Sequence, residues 1–130
     1  MKEPVFTIIP LGTVSPYCKG DTNCPGFLVE YNNNKILLDC GNGISRLLKF
    51  PDDLNNLSII ISHLHKDHYG DLLSLGYASY VYHKLGLLKD KIKVYIPYES
   101  QPSEIREVVW SYTTGKRLSD FEFLNDFGNE

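Results

Sequence analysis

The 130 residues predict an α/β domain in which helices pack on a mixed sheet. Three observations carry this. Short apolar runs rich in β-branched residues recur along the chain as strands. Between the later runs lie stretches with helical spacing. Three of the four histidines, with an aspartate among them, crowd the point where one strand gives way to a loop. The order reads β-ββα-βα-βα-β, which fits such a domain.

Val5-Phe6-Thr7-Ile8-Ile9 predicts a first strand closed by Pro10 and Gly12. From Gly12 to Pro25 the chain is polar and rich in Gly, Pro, Ser, Thr and Asn, so a long loop is expected, of a length commonly tied to function. Gly26–Tyr31 and Lys35–Asp39 flank Asn32-Asn33-Asn34 and predict a hairpin, since asparagine tolerates the left-handed conformation of a tight turn. Asp39-Cys40-Gly41-Asn42-Gly43 then turns into a short helix starting at Ile44. Its Gly-x-Gly is a weak phosphate-cradle signal without a third glycine or a lysine, and a tight turn explains it better.

Leu57–Ile61 predicts a buried strand, and it runs into Ser62-His63-Leu64-His65-Lys66-Asp67-His68-Tyr69-Gly70. His63 and His65, two apart, share a side while the backbone stays extended. Asp67 and His68 follow the bend and can face a second position beside the first. Imidazole nitrogen and carboxylate oxygen are zinc's usual ligands other than thiolate. A turn carrying four of them is poor packing and good coordination.

Asp71 to Tyr82 has no charge after Asp71, and apolar side chains wrap most of the helix it predicts, which implies burial on more than one side. A helix of that length puts His83 on the order of 18 Å from the histidine loop, a surface or interface position. Ile92–Ile96 alternates as a strand ending at Pro97. Glu104–Tyr112 follows amphipathic helical spacing with Ser103 as its expected N-cap, and Phe121-Glu122-Phe123 predicts a last short strand.

Length fits one domain with a real core. A net charge of -3 argues against a general nucleic-acid surface, and a local patch could still hold such a substrate. No apolar run approaches membrane-spanning length and no secretory leader is visible at Met1-Lys2-Glu3-Pro4, so a cytoplasmic protein without a membrane partner is expected. Three cysteines without a Cys-x-x-Cys pair fit a reducing compartment. Cys18 and Cys24 read as free loop thiols, with a disulfide or an accessory metal site as alternatives. Cys40 reads as a small buried residue.

His63-x-His65-x-Asp67-His68 after an apolar strand resembles the signature of the metallo-β-lactamase superfamily. The resemblance implies that His63 and His65 bind one metal, and that Asp67 and His68 belong to a second, with Asp67 also orienting the attacking water as the catalytic carboxylate. Leu38-Asp39-Cys40-Gly41 looks like that family's Asp-x-Gly element, which implies that Asp39 buttresses the site from behind. The other role open to Asp39 is capping the helix near Gly43. Leu11-Gly12-Thr13, the long loop and Ile61-Ser62-His63 look most like the ribonuclease Z and cyclic-nucleotide phosphodiesterase branch.

The family's fold is a four-layer αββα sandwich of two similar halves. The resemblance covers its first half, so residues 1–130 are expected to be the N-terminal part of a single domain, truncated. No histidine follows His83 to match the family's later ligands. The expected function is zinc-dependent hydrolysis of a phosphodiester, of RNA or cyclic-nucleotide type, with one or two zinc ions and manganese as the other candidate metal. The alternatives are an incomplete fragment acting by binding or association, and a thioesterase- or lactonase-type member. The 130 residues alone are expected to be inactive, and to self-associate or contact a C-terminal half. No separate organic cofactor is expected.

Overall fold

The computed structural model, which describes residues 6–97 and 102–117, joins six strands into one sheet whose spatial order is their order in the chain. β1 (Phe6–Gly12), β2 (Gly26–Tyr31) and β3 (Asn34–Leu38) run antiparallel. β4 (Leu57–Ile60), β5 (Lys93–Ile96) and β6 (Thr114–Arg117) continue from β3 as parallel neighbours. The sheet is therefore mixed. Its antiparallel part follows from a two-residue turn: Tyr31 pairs with Asn34, and Asn32 takes the left-handed φ of 55° that asparagine tolerates.

Each parallel step needs a crossover. Two 3-10 turns, Ile44–Leu47 and Asp52–Leu54, connect β3 to β4. A one-turn helix α1 (Lys66–Tyr69) and the longer α2 (Leu72–Lys84) connect β4 to β5. α3 (Ser103–Tyr112) connects β5 to β6.

Several boundaries differ from expectation. β1 runs through Pro10 to Gly12 with a register shift between them, because an edge strand tolerates a residue that lacks an N–H. Ser103 is the first helical residue, with Pro102 in the cap position and no side-chain cap. β6 was not expected, and the expected strand at Phe121–Phe123 lies outside the described residues.

The core lies on one face of the sheet. Leu28, Leu37, Ile59 and Val94 stand in register across four strands and are all buried. Leu72 and Leu75 of α2 and Ile105 and Val109 of α3 join them in one cluster. Each such side chain contributes about 1.5–3 kcal/mol through loss of water contact. Ser79, buried in this layer, accepts the Ile92 N–H at 2.9 Å.

Among the described residues α2 is buried on one side and shows apolar surface on the other. It buries Leu72, Leu75, Gly76 and Ser79, while Leu73, Tyr77, Val81 and Leu85 stay exposed. The described chain places one layer of helices over one sheet face, so nothing lies beyond α2. The other sheet face is also apolar: Ile8, Val29 and Ile36 are register neighbours, as are Phe27, Leu38 and Ile60. Ile8 is 57% exposed and Leu38 40%, so among the described residues this face has no cover either. His83 ends α2 half-buried, its Nδ1 3.2 Å from the Leu88 carbonyl. Among the described residues no helix is long and apolar enough to cross a membrane.

Candidate metal centre

β3 and β4 are parallel with Leu38 opposite Ile60, so the residues that leave their C-terminal ends meet. Such strand ends are where α/β sheets build their sites. Asp39 leaves β3 with a left-handed φ of 64°, while its N–H still donates to the Ile60 carbonyl at 2.8 Å. This kink turns the carboxylate toward the residues after β4. Asp39 Oδ1 accepts the Ser62 N–H at 2.7 Å, and Oδ2 accepts the Ser62 hydroxyl at 2.9 Å. Oδ2 also accepts from His68 Nδ1 at 2.8 Å.

These bonds decide where ring protons sit. Ser62 has one hydroxyl hydrogen and gives it to Asp39, so toward His63 Nδ1, 2.9 Å away, its oxygen is an acceptor. His63 therefore carries its proton on Nδ1, and so does His68 opposite Asp39. Each ring then presents the lone pair of Nε2, the form in which imidazole ligates a metal. His68 Nε2 lies 3.3 Å from Asp67 Oδ2. Two acceptors that close call for a cation beside them, a proton or a metal ion.

The structure brings the four loop residues to one place. The His63 ring stands 4.7 Å from that of His65 and 4.0 Å from that of His68, centroid to centroid. Asp67 joins them through His68. The donor chemistry fits a divalent metal that prefers nitrogen and oxygen. The donors do not close a cage, however: among the described residues no three His, Cys, Asp or Glu groups are in a geometry that could hold an ion. Ser62 was missed as a member of the site. Its signal was its place directly before the first histidine, at the end of a buried strand.

Backbone hydrogen bonds hold the loop. His68 N–H donates to His65 at 2.9 Å, Cys40 N–H to the His68 carbonyl at 2.8 Å, and Asp71 N–H to the Cys40 carbonyl at 3.1 Å. Gly41 permits this closeness, since a Cβ there would collide with the Asp67 carbonyl and come within 2.6 Å of Cys24 Cβ. Cys40 lies beneath with no exposed surface, and burial first, then Asp71 and Asp39, pushes its thiol pKa well up.

Asp39 does not cap the following turn. Asp71 Oδ2 does so from across the site, accepting from Gly43 N at 3.1 Å, Ser45 N at 2.8 Å and Ser45 Oγ at 2.7 Å. Asp71→Ala is expected to lower stability by about 1–2 kcal/mol, the usual cost of a lost cap. Urea unfolding checks this; an unchanged midpoint would show that the three donors find water instead.

The chain is similar to known proteins along nearly its whole length. A family model described as Anti-Pycsar protein Apyc1 matches residues 6–125. Ribonuclease Z of Saccharolobus solfataricus is 30% identical over 128 residues, which cover 97% of this chain and 42% of that protein. Ribonuclease Z of a Bradyrhizobium species is 41% identical over 66 residues, 49% of this chain and 22% of that protein. Among solved structures, the metallo-beta-lactamase fold protein YhfI from Bacillus subtilis superposes with a TM-score of 0.72 at 21% identity, covering 88% of this chain and 46% of that one. Human tRNase Z, short form, gives 0.60 at 23% identity, with coverage of 85% and 43%. The fold is thus that of the metallo-β-lactamase superfamily, and the chain spans less than half the length of these relatives.

Proposed function

The chain belongs to the Anti-Pycsar protein Apyc1 family, and from that premise we propose that it carries metal ligands and the water-orienting carboxylate of a metal-dependent phosphodiester hydrolase. The observation that carries this reading is the set of bonds made by Asp39 and Ser62, which leaves Nε2 of His63 and His68 free to ligate. His63 and His65 would hold one zinc ion, and Asp67 and His68 a second, with manganese as the alternative. A bound metal of this kind supplies a water acidic enough to lose a proton near neutral pH. Asp67 would be the residue placed to accept a hydrogen bond from such a water and orient it. Asp39 keeps the His68 ring from turning while charge develops in front of it. Of the two substrate classes, RNA is supported by likeness to proteins named ribonuclease Z, and a cyclic nucleotide is the alternative phosphodiester. Three free cysteines among the described residues suit residence in the cytoplasm.

A catalytic zinc typically takes three protein ligands, and four donors shared between two positions leave each short. Turnover by residues 1–130 alone is therefore expected to be slow, since about 1 Å of misplacement costs roughly 100-fold. A second reading, action by association, is favoured by the exposed apolar residues of β1, β3 and α2. Calorimetric titration with zinc and manganese, a chromogenic phosphodiester assay beside thioester and lactone assays, and sedimentation test both. Metal binding that disappears in His63→Ala and His68→Ala, with turnover confined to the phosphodiester, is expected. A wild-type chain that binds neither metal would sink the hydrolase reading, and a strictly monomeric chain the association reading.

A further inference from the structure

The loop of residues 13–25 takes no part in the chemistry above, yet it is tightly folded. Thr22 N–H donates to the Lys19 carbonyl at 3.1 Å. Lys19 N–H donates to Thr22 Oγ1 at 2.8 Å, and the Thr22 hydroxyl returns to the Lys19 carbonyl at 2.6 Å. This turn carries Cys18, one residue before it, back toward Cys24, two residues after it. Both then meet one carbonyl. Asn42 O accepts the Cys24 N–H at 3.0 Å and lies 3.8 Å from Cys18 Sγ. Burial first, then the neighbouring Cys18 thiol, pushes the Cys24 pKa up. Cys18 is half-buried and reachable, whereas Cys24 is buried.

We propose that Cys18 and Cys24 are a redox modification site that closes reversibly to an intraloop disulfide. The thiolate of Cys18, the accessible sulfur, attacks a small-molecule disulfide such as oxidised glutathione and expels one thiolate. The Cys24 sulfur, on losing its proton to solvent, then attacks Cys18 Sγ and expels the second thiolate. Two protein thiols are oxidised and one external disulfide is reduced to two thiols, so electrons and protons balance. The link is strategically placed. Cys24 Cβ and the Asp67 carbonyl would both contact a Cβ at Gly41, so the bridge closes one end of the long loop beside the backbone directly behind the histidine loop. Cys40, with no exposed surface, is walled off from the same oxidant.

The full chain is incubated with oxidised glutathione, quenched in acid, alkylated in denaturant and mapped by mass spectrometry. The expected product is a Cys18–Cys24 crosslinked peptide, reversed by dithiothreitol, with Cys40 alkylated throughout. Cys24→Ser is expected to stop at a glutathione adduct on Cys18. Because a serine at this buried position can impair folding, thermal melting of the wild-type chain gives an independent reading, with Tm higher by about 5 °C in the oxidised form. A wild-type chain that stalls at the Cys18 adduct, joins Cys18 between two molecules, or keeps both thiols alkylatable overturns the proposal. So does an oxidised form that melts no higher than the reduced one.

Discussion

Metal affinity is expected to fall by about 10–100-fold when Asp39 is replaced by alanine, the usual cost of removing a carboxylate that orients a ligating histidine. The carboxylate serves three donors at once: the Ser62 N–H, the Ser62 hydroxyl and His68 Nδ1. Without it His68 can exchange its ring proton between nitrogens or rotate. The Ser62 hydroxyl, released from Asp39, can turn to His63 and donate where it now accepts. One deletion therefore loosens two imidazoles. Alanine keeps the Cβ at the left-handed φ of 64° but lacks the short polar side chain that lets aspartate tolerate it, so it bears the backbone cost of that conformation unrelieved. Asp39→Gly relieves that cost and still removes the carboxylate, so the pair separates backbone from chemistry. Zinc titration of both variants decides: affinity recovered by glycine would move the effect to the backbone, and affinity unchanged in alanine would remove Asp39 from the site.

Leu37→Ala is expected to cost about 2–5 kcal/mol, a large part of the roughly 5–15 kcal/mol that holds a domain together. Leu37 has no exposed surface and stands between Leu28 and Ile59 in the row that runs on to Val94. It is fixed on both sides by hydrogen-bonded strands, so its neighbours cannot slide inward to fill the space. Leu38→Ala, one residue on and 40% exposed on the uncovered face, is the matched comparison and should cost far less. Urea unfolding of the two variants measures the contrast; equal losses would mean that both sheet faces carry the same load.

What could be read from the chain was local. The hairpin was legible because Asn32 and its neighbours are a turn signal whatever surrounds them, and β4 was legible because Leu57–Ile61 is too short and too β-branched for a helix. The histidine loop was legible because donors that are clustered in sequence stay clustered in space. β6 was not: Thr114-Gly115-Lys116-Arg117 has no alternation, and becomes a strand because β5 offers it an open parallel edge. The cap from Asp71 to Ser45 spans 26 residues and has no local trace. Asp71 looked like the start of its own helix, and its side chain makes no cap bond there. Which side of α2 is covered was not legible either, for a related reason. Periodicity counts apolar residues, and cannot say whether a second layer lies behind them.

The latch between the Asp39 turn and the histidine loop is made of main-chain groups: Cys40 N–H to His68, Asp71 N–H to Cys40, His68 N–H to His65. None of these bonds asks what side chain a residue carries. The shape of the loop and the identity of its donors are therefore separable properties, inherited from different atoms. Exchanging a histidine for a carboxylate, or a carboxylate for an amide, alters which ion is preferred without rewriting the path of the backbone. A loop held this way tolerates single substitutions at its donors, each leaving a folded protein for the next to act upon.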